Sequence, residues 1–168
     1  MPILTPDILD FTSHSAEQTA RIGVRLGGLL MPGDVVCLSG ELGAGKTALA
    51  AGIGKGWGVL EQVNSPTFVF IHEHRRAIDA VRLYHVDCYR LPDAENASTI
   101  GLDEILAGDD VAIIEWPERI EALLPDARLW IHLTVFDDYT EKRQVQFRAS
   151  GNRYQTLLDT FRRKAFGA

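Results

Sequence analysis

The residues with the clearest chemistry form one stretch, Gly40 to Thr47, with the sequence GELGAGKT. Its spacing, G-x-x-x-x-G-K-T, is that of a phosphate-binding loop. Glycines let the backbone curl so that successive N–H groups point inward at phosphate oxygens. The lysine then places a cation on the outer phosphates, and the threonine hydroxyl offers a ligand to Mg²⁺. The pattern predicts a nucleotide-phosphate site whose binding residues are Leu42, Gly43, Ala44, Gly45, Lys46 and Thr47.

The stretches on either side of this loop support the same interpretation. Residues 35–38, VVCL, form a short apolar run that is typical of a buried strand, and residues 47–57 are rich in Ala and Gly and predict a helix. The N-terminus of a helix carries free N–H groups and the positive end of the helix dipole. Both features favour a phosphate at the end of the loop.

A phosphate loop also needs an acidic partner for its metal ion, normally at the end of an apolar strand beside the loop strand. Two carboxylates fit this position, because Glu115 ends the apolar run 111–114 and Asp87 ends the stretch 83–86. Either could hold Mg²⁺ directly or through water, and Glu115 could also orient the attacking water. The candidate catalytic residues are therefore Lys46, Glu115 and Asp87, and the candidate metal ligands are Thr47, Glu115 and Asp87.

Aromatic and histidine side chains near these carboxylates carry weaker signals. Trp116 follows Glu115 directly. A tryptophan at a strand end usually packs in the core or at its rim, and the alternative is an aromatic lid that faces the nucleotide. His85 could be catalytic, but a histidine within a strand is more often a residue with a satisfied hydrogen bond. His72 and His74 are expected to be solvated near a hairpin tip.

Length and composition bound the class of protein. The chain has 168 residues, which predicts a single domain over residues 1–168 with a substantial core. At 46% hydrophobic and 24% charged residues it is typical of a globular protein. The formal net charge of −6 argues against independent nucleic-acid binding, which needs clustered Lys and Arg. Any role on RNA is therefore expected to depend on a partner.

Cysteine usage and the N-terminus indicate the compartment. Cys37 and Cys88 lack C-x-x-C spacing and are predicted to be reduced, structural thiols. No apolar run approaches transmembrane length, and the N-terminus shows no basic segment of a signal peptide. We expect a cytoplasmic protein that does not engage a membrane.

Hydrophobic periodicity predicts the elements that must position these residues. Strands are expected at 3–11 (broken by Pro6), 35–38, 67–74, 81–87, 111–114, 128–136 and 143–149. Helices are expected at 15–30, 47–57, 102–107, 117–124 and 152–166, with 91–98 irregular or partly helical. The connector 75–80 is too short for a crossover, so the strands on either side of it should form an antiparallel hairpin. A turn at 137–139 predicts a second hairpin, between the strands at 128–136 and 143–149. The sheet is therefore predicted to be mixed.

Four segments in this order resemble the TsaE (YjeE) family of bacterial P-loop ATPases. They are GELGAGKT at 40–47, SPTF at 65–68, HVDCYR at 85–90 and IEWPER at 114–119. The loop occurs in many families, whereas the other three segments together are far more specific. The resemblance runs from about residue 15 to about residue 151. It implies an α/β fold, a three-layer P-loop NTPase-like domain with a mixed, partly antiparallel central sheet.

The resemblance also implies a function. Members of this family act in making threonylcarbamoyl-adenosine at position 37 of tRNA, together with TsaD and TsaB proteins. The implied cofactors are ATP and Mg²⁺, the implied activity is an ATPase that is slow alone and stimulated by its partners, and tRNA is reached only through the complex. By motif, the phosphates would lie on Lys46 and the loop backbone, and Mg²⁺ among Thr47, Asp87 and Glu115.

The remaining motif residues receive roles from the same resemblance. Ser65, Pro66 and Thr67 resemble a switch-like segment near the γ-phosphate. Trp116 resembles a sensor of nucleotide state or a contact for a partner. The strand–helix junction at 12–19 is where family members would close over the base.

Other functions stay open on the sequence alone. A small-molecule kinase would need an acceptor pocket and an arginine-bearing lid, for which Arg75, Arg76 and Arg90 are the candidates. A nucleotide-binding subunit that does not hydrolyse ATP is a further alternative, because turnover depends on how water is positioned. A GTPase is disfavoured because the chain contains neither an N-K-x-D nor a D-x-x-G motif.

Overall fold

The computed structural model describes residues 3–61, 71–136 and 140–167. Its strands are β1 Ile3–Thr5, β2 Ile8–Ser13, β3 Val35–Ser39, β4 Ile71–Arg75, β5 Arg82–Asp87, β6 Val111–Glu115, β7 Arg128–Val135 and β8 Arg143–Ser150. Its helices are α1 Ala16–Gly27, α2 Lys46–Trp57, α3 Ala94–Thr99, α4 Leu102–Ala107 and α5 Asn152–Phe166, with a 3₁₀ helix at Pro117–Leu123.

All the described strands lie in one mixed sheet, in the order β1-β2-β8-β7-β3-β6-β5-β4. Strand β3 is parallel to β6 and β7, and β5 is parallel to β6. The other neighbouring pairs are antiparallel, which confirms the two predicted hairpins, β4–β5 and β7–β8. Every residue of β3 and β6 is buried, as expected for the centre of a parallel region. The carboxyl ends of β3, β5 and β6 therefore meet at one edge of the sheet.

Helices cover both faces of the sheet and make three layers. On one face, α1, α2 and α5 contribute Leu26, Ile53 and Phe161 to a large apolar core. On the other face, α4 and the 3₁₀ helix contribute Leu102 and Ile120 to a second core. The predicted fold class, a three-layer α/β structure with a mixed sheet, is confirmed.

Helices α1 and α2 pack unusually closely because glycines line their crossing. A Cβ atom at Gly27 would lie 2.0 Å from the carbonyl oxygen of Ile53, and one at Gly56 would lie 1.9 Å from the carbonyl oxygen of Val24. Carbon atoms do not approach oxygen so closely, so any side chain here would force the helices apart. The contact fixes α2, and with it the phosphate loop at its N-terminus.

Several element boundaries differ from the prediction. Residues 117–124 were expected to form an ordinary helix but form a 3₁₀ helix, interrupted at Ile120 by a φ of −131°. The first helix ends at Gly27 rather than near residue 30. Ser15 is the N-cap of this helix, since its hydroxyl accepts the N–H of Gln18 at 3.1 Å. The Gln18 side chain accepts the N–H of His14 at 2.7 Å.

The cysteines are as predicted. Cys37 and Cys88 are both buried and free. Burial raises the pKa of each thiol to about 12, so neither forms a reactive thiolate near neutral pH. Within the described ranges, none of the helices combines the length and the apolar character that a bilayer span requires.

Candidate functional site

The phosphate-loop sequence connects β3 to α2 and turns through glycines. Gly40, Gly43 and Gly45 have φ values of 143°, 79° and 103°, which residues with a side chain rarely adopt. Gly45 is the N-cap of α2, so Lys46 is the first residue of the helix and Thr47 the second. The loop backbone and the N-terminus of α2 therefore face the same space, as the sequence predicts.

Lys46 lies inside the loop rather than in solvent. Its Nζ donates to the carbonyl oxygens of Gly40 at 2.6 Å and Glu41 at 2.8 Å. The same ammonium lies 4.3 Å from the centre of the Trp116 ring. Burial lowers the pKa of Lys46, while the negative charges of Glu115, Glu118, Asp87 and Glu41 act to raise it. The cation is thus held by two loop carbonyls beside an aromatic face, within the electrostatic influence of four carboxylates.

Glu115 is held from two sides at the carboxyl end of β6. Its Oε1 accepts the Thr47 hydroxyl at 3.1 Å, and its Oε2 lies 2.5 Å from His85 Nε2. Glu115 is only 3% exposed and His85 is fully buried. The expectation of a satisfied histidine is right for Nε2 only, since His85 Nδ1 has no hydrogen-bond partner among the described residues. Glu115 is therefore a buried residue and not merely an accessible strand end.

Asp87 lies beside Glu115, since the two residues are register partners in the parallel pair β5–β6. Its Oδ1 accepts the backbone N–H of Tyr89 at 2.9 Å. Burial raises the pKa of Asp87, and this hydrogen bond partly opposes the effect. The two candidate carboxylates thus differ: both oxygens of Glu115 contact other side chains, whereas Asp87 is half-buried and bonded to backbone.

A cavity of about 270 Å³ brings most of the predicted site residues together. Of those residues it is lined by Leu42, Gly43, Gly45, Lys46, Thr47, Asp87, Glu115 and Trp116. Ala44 is fully buried and does not line it. The predicted switch-like residues Ser65, Pro66 and Thr67 lie outside the described residues.

The oxygen atoms around this cavity suit a hard cation. Thr47 supplies a hydroxyl, and Asp87 and Glu115 supply carboxylates. The described residues hold no group of three or more His, Cys, Asp or Glu side chains that could hold a metal ion unaided. Mg²⁺ usually binds through one or two carboxylates plus water and substrate phosphates, so the donors present fit that ion.

Trp116 has a strained backbone, with φ 58° and ψ 50° in the left-handed region. Such a conformation is uncommon for residues other than glycine and is often found at functional sites. Its backbone N–H donates to the carbonyl oxygen of Leu38, and its ring packs on Tyr89 with centroids 4.8 Å apart. The indole faces the Lys46 ammonium and also packs at the rim of the second core.

Three residues at the site were not predicted from the sequence, namely Tyr89, Arg143 and Ala48, which lines the cavity from the first turn of α2. Tyr89 lines the cavity, and its only signal was its place in the HVDCYR segment. Arg143 donates to the loop carbonyls of Ala44 at 2.9 Å and Gly43 at 3.2 Å. No motif marks Arg143, because its contact with the loop arises only from the pairing of distant strands.

The prediction for the β4 histidines was wrong for His74. His74 is only 3% exposed, and its Nδ1 lies 3.2 Å from the carboxylate of Glu61. Burial lowers its pKa, and Glu61 partly offsets this. His72 is half-buried on the same strand. Neither histidine lines the cavity at the phosphate loop.

Comparison with known proteins identifies the family of the chain. A family model described as "Threonylcarbamoyl adenosine biosynthesis protein TsaE" matches residues 13–145, most of the chain. The chain belongs to the TsaE family. The matched range includes the phosphate loop, both candidate carboxylates, Trp116 and Arg143.

Curated members of the TsaE family from distant bacteria resemble this chain over most of their length. The Bacillus subtilis (strain 168) protein is 38% identical over 92% of this chain and 94% of its own. The Streptomyces coelicolor protein is 44% identical over 80% of this chain and 93% of its own. Each is named tRNA threonylcarbamoyladenosine biosynthesis protein TsaE. A crystal structure of Bacillus subtilis YdiB superposes with a TM-score of 0.80 at 33% identity, covering 98% of both chains.

Proposed function

We propose that this protein is an Mg²⁺-dependent ATPase that acts with TsaD- and TsaB-type partners in the threonylcarbamoyl-adenosine modification of tRNA. The observation that carries the proposal is the meeting of four side chains in one cavity. Lys46 and Thr47 arrive there on the N-terminus of α2, and Asp87 and Glu115 arrive on the ends of adjacent parallel strands. Family membership supports the place of this site in tRNA modification.

The residues of the loop supply positive potential for a triphosphate. Lys46 contributes a buried ammonium, and the N-terminus of α2 contributes free N–H groups and the helix dipole. Four carboxylates, Glu41, Asp87, Glu115 and Glu118, interact electrostatically with Lys46, so acidic side chains outnumber this one cation. Mg²⁺, when bound, neutralises charge on the phosphate oxygens.

The acidic residues have separate tasks in this proposal. Thr47 and Glu115 form a hydrogen-bonded pair, and their hydroxyl and carboxylate oxygens would hold the metal ion. His85 holds the second oxygen of Glu115 and stops the carboxylate from swinging away. Asp87 is more exposed and is the better candidate to orient a metal-bound or attacking water. Catalysis here is positioning and electrostatics, as for phosphoryl transfer in general.

The exposed residues at the mouth of the cavity support the proposal that a protein partner binds there. Leu42 at the tip of the loop is 67% exposed, and Tyr89 is 39% exposed beside Trp116. Adjacent exposed apolar side chains at an active site mark interaction surfaces. A net charge of −6 disfavours direct binding to tRNA, so the tRNA is reached through the partner complex.

The kinase alternative loses support because two of its candidate lid residues lie elsewhere. Arg76 packs on the Trp57 ring at 4.3 Å and pairs with Asp79, and Arg75 pairs with Glu73. Trp57 ends α2, about 16 Å from the phosphate loop at 1.5 Å per residue. Neither arginine is placed to close over a phosphate bound at the N-terminus of that helix.

A reconstituted modification assay tests the proposal. Multiple rounds of tRNA modification should require this protein, ATP and Mg²⁺ together with the TsaD–TsaB pair, and ATP hydrolysis should rise when the pair is added. Equal multi-turnover modification without this protein would overturn the assignment. So would stimulation of hydrolysis by bare tRNA alone. Transfer of the γ-phosphoryl group of ATP to a panel of metabolites, measured without the partners, tests the kinase alternative.

A further inference from the structure

Arg143 is the first residue of β8, and its guanidinium donates hydrogen bonds to four backbone carbonyl oxygens. Nε donates to Ala44 O at 2.9 Å and Nη2 to Gly43 O at 3.2 Å, both in the phosphate loop. Nη1 donates to Thr140 O at 2.9 Å and Lys142 O at 2.8 Å. All three nitrogens are thus engaged, and a planar, rigid guanidinium fixes the relative orientation of the groups it binds. The β7–β8 connection and the phosphate loop are tied together through this one side chain.

The bond to Ala44 decides where an N–H group points. A trans peptide is planar, so its N–H lies opposite its carbonyl oxygen. Because Arg143 holds the Ala44 carbonyl on its own side, the N–H of Gly45 in the same peptide is turned to the other side. Gly45 lines the 270 Å³ cavity. The guanidinium therefore aims a donor at the place where a phosphate would bind.

The bond to Gly43 stabilises the inner turn of the loop. The peptide that carries the Gly43 carbonyl also carries the N–H of Ala44, and that N–H donates to Glu41 O at 3.1 Å. One guanidinium thus fixes two successive peptides, one closed within the loop and one turned to the cavity. Two donors in a planar fork suit this task better than a single ammonium would.

The loop needs such a constraint because two of its glycines, Gly43 and Gly45, are not restrained by packing. A Cβ atom at Gly43 or Gly45 would meet nothing within 4 Å in the described part of the chain. Glycine also loses more backbone entropy on ordering than other residues do. An external hydrogen bond can therefore decide how much of the time the loop holds its binding conformation.

A second contact links the same connection to α1. The N–H of Ala16, in the first turn of α1, donates to the Glu141 carboxylate at 3.2 Å. Arg143 itself pairs with Ser13 of β2 and with Val135 of β7. Arg143 therefore stands on a segment anchored by the sheet and by α1, so its guanidinium approaches the loop from a fixed position.

We propose that Arg143 is a positioning residue that holds the phosphate loop in its nucleotide-binding conformation without contacting the nucleotide. This inference rests on the proposed function, since it assumes that the loop binds nucleotide phosphates. Its signature is an equal loss of affinity for ATP and ADP. A guanidinium that touched the γ-phosphate directly would lower the affinity for ATP alone.

The test compares Arg143→Gln and Arg143→Lys with Arg148→Gln by calorimetry with ATP and ADP. Arg148 lies on the same strand and is exposed, and its replacement by Gln removes the same charge. We expect Arg143→Gln to lower the affinity for both ATP and ADP by about tenfold or more. Arg143→Lys should recover little of this affinity, because an ammonium cannot replace the planar fork of donors. Arg148→Gln should bind both nucleotides like the wild type. In partner-stimulated hydrolysis, the KM for ATP should rise while kcat changes less than threefold.

Each contrary result has a separate meaning. Wild-type protein that binds neither nucleotide would overturn the proposed function itself. Wild-type protein that binds both, with Arg143→Gln equal to Arg148→Gln, would overturn only the role of Arg143, as would a loss confined to ATP. Circular dichroism checks the fold. If Arg143→Gln does not fold, the affinity of folded Arg143→Lys for the two nucleotides tests the proposal instead. Wild-type affinity in that variant would refute the role of the planar guanidinium in positioning the loop.

Discussion

Thr47 and Glu115 are 68 residues apart in sequence, yet the Thr47 hydroxyl donates to Glu115 Oε1 at 3.1 Å. The contact joins the start of α2 to the end of β6. His85 holds the other oxygen of the same carboxylate from β5. Three elements thus determine the orientation of one buried acidic group, which is the condition for an electrostatic role in catalysis.

Replacing Glu115 by Gln should lower ATP hydrolysis by at least about tenfold, a barrier increase of about 1.4 kcal/mol, because the charge is lost while the size is kept. Binding of ADP should survive. Phosphate release and calorimetry measure the two effects. The exposed Glu104→Gln on α4 is the control for a change of net charge. Hydrolysis at the wild-type rate in Glu115→Gln would show that the role of this carboxylate is structural.

Replacing Lys46 by Ala should abolish detectable ATP binding. Lys46 is the buried cation at the N-terminus of α2, and an amide dipole alone cannot balance the charge of a triphosphate. Lys55→Ala, in the last turn of the same helix and exposed, should bind ATP normally. Calorimetry on both variants checks this, and unchanged affinity in Lys46→Ala would contradict the assignment of the loop.

Asp87→Asn should raise the thermal stability of the nucleotide-free protein at neutral pH while lowering hydrolysis. Burial raises the pKa of Asp87 above its usual 3.8, so the charged carboxylate costs folding free energy once the pH exceeds that value. Below it the group is protonated in both the folded and the unfolded state, and the cost disappears.

The stability difference between Asp87→Asn and wild type should therefore grow as the pH rises from about 4, and Tm measured across pH shows it. The exposed Asp103→Asn on α4 serves as the comparison. A Tm difference that does not depend on pH would indicate a packing effect in place of a charge effect.

Trp116→Ala should uncouple the protein from its partners more than it weakens ATP binding. The contact of the ring with the Lys46 ammonium is worth about 0.5–1 kcal/mol, so ATP affinity should fall only about two- to fivefold. Stimulation of hydrolysis by the TsaD–TsaB pair should be lost. Trp116→Phe keeps an aromatic face and should retain part of the stimulation. Full stimulation of hydrolysis in Trp116→Ala would show that Trp116 is not part of the surface that contacts the partners.

Gly27→Ala should destabilise the protein by more than about 2 kcal/mol, whereas the neighbouring Gly28→Ala should be nearly neutral. A Cβ atom at Gly27 would lie 2.0 Å from Ile53 O, but one at Gly28 would have its nearest neighbour at 3.8 Å. Gly28 also has an ordinary φ of −67°. Chemical denaturation of the two variants measures the difference, and equal stabilities would show that α1 and α2 separate without cost.

The sequence by itself determined the features whose physics is local. The spacing of glycines, Lys46 and Thr47 predicted the loop and the helix that follows it, because the curled backbone and the helix N-terminus depend on consecutive residues. Apolar runs ending in Asp87 and Glu115 predicted two strands with acidic ends. Short connectors predicted both hairpins, and the four ordered segments carried the family resemblance that the comparisons confirm.

Only the tertiary structure decided which distant groups meet. The pairing of β5 with β6 placed Asp87 beside Glu115 and put His85 against the Glu115 carboxylate. The pairing of β8 with β2 and β7 brought Arg143 to the phosphate loop. Strand order depends on long-range burial and on crossover connections, which no local pattern encodes. The chemistry of the candidate site is therefore visible in short segments, whereas its geometry comes from the sheet.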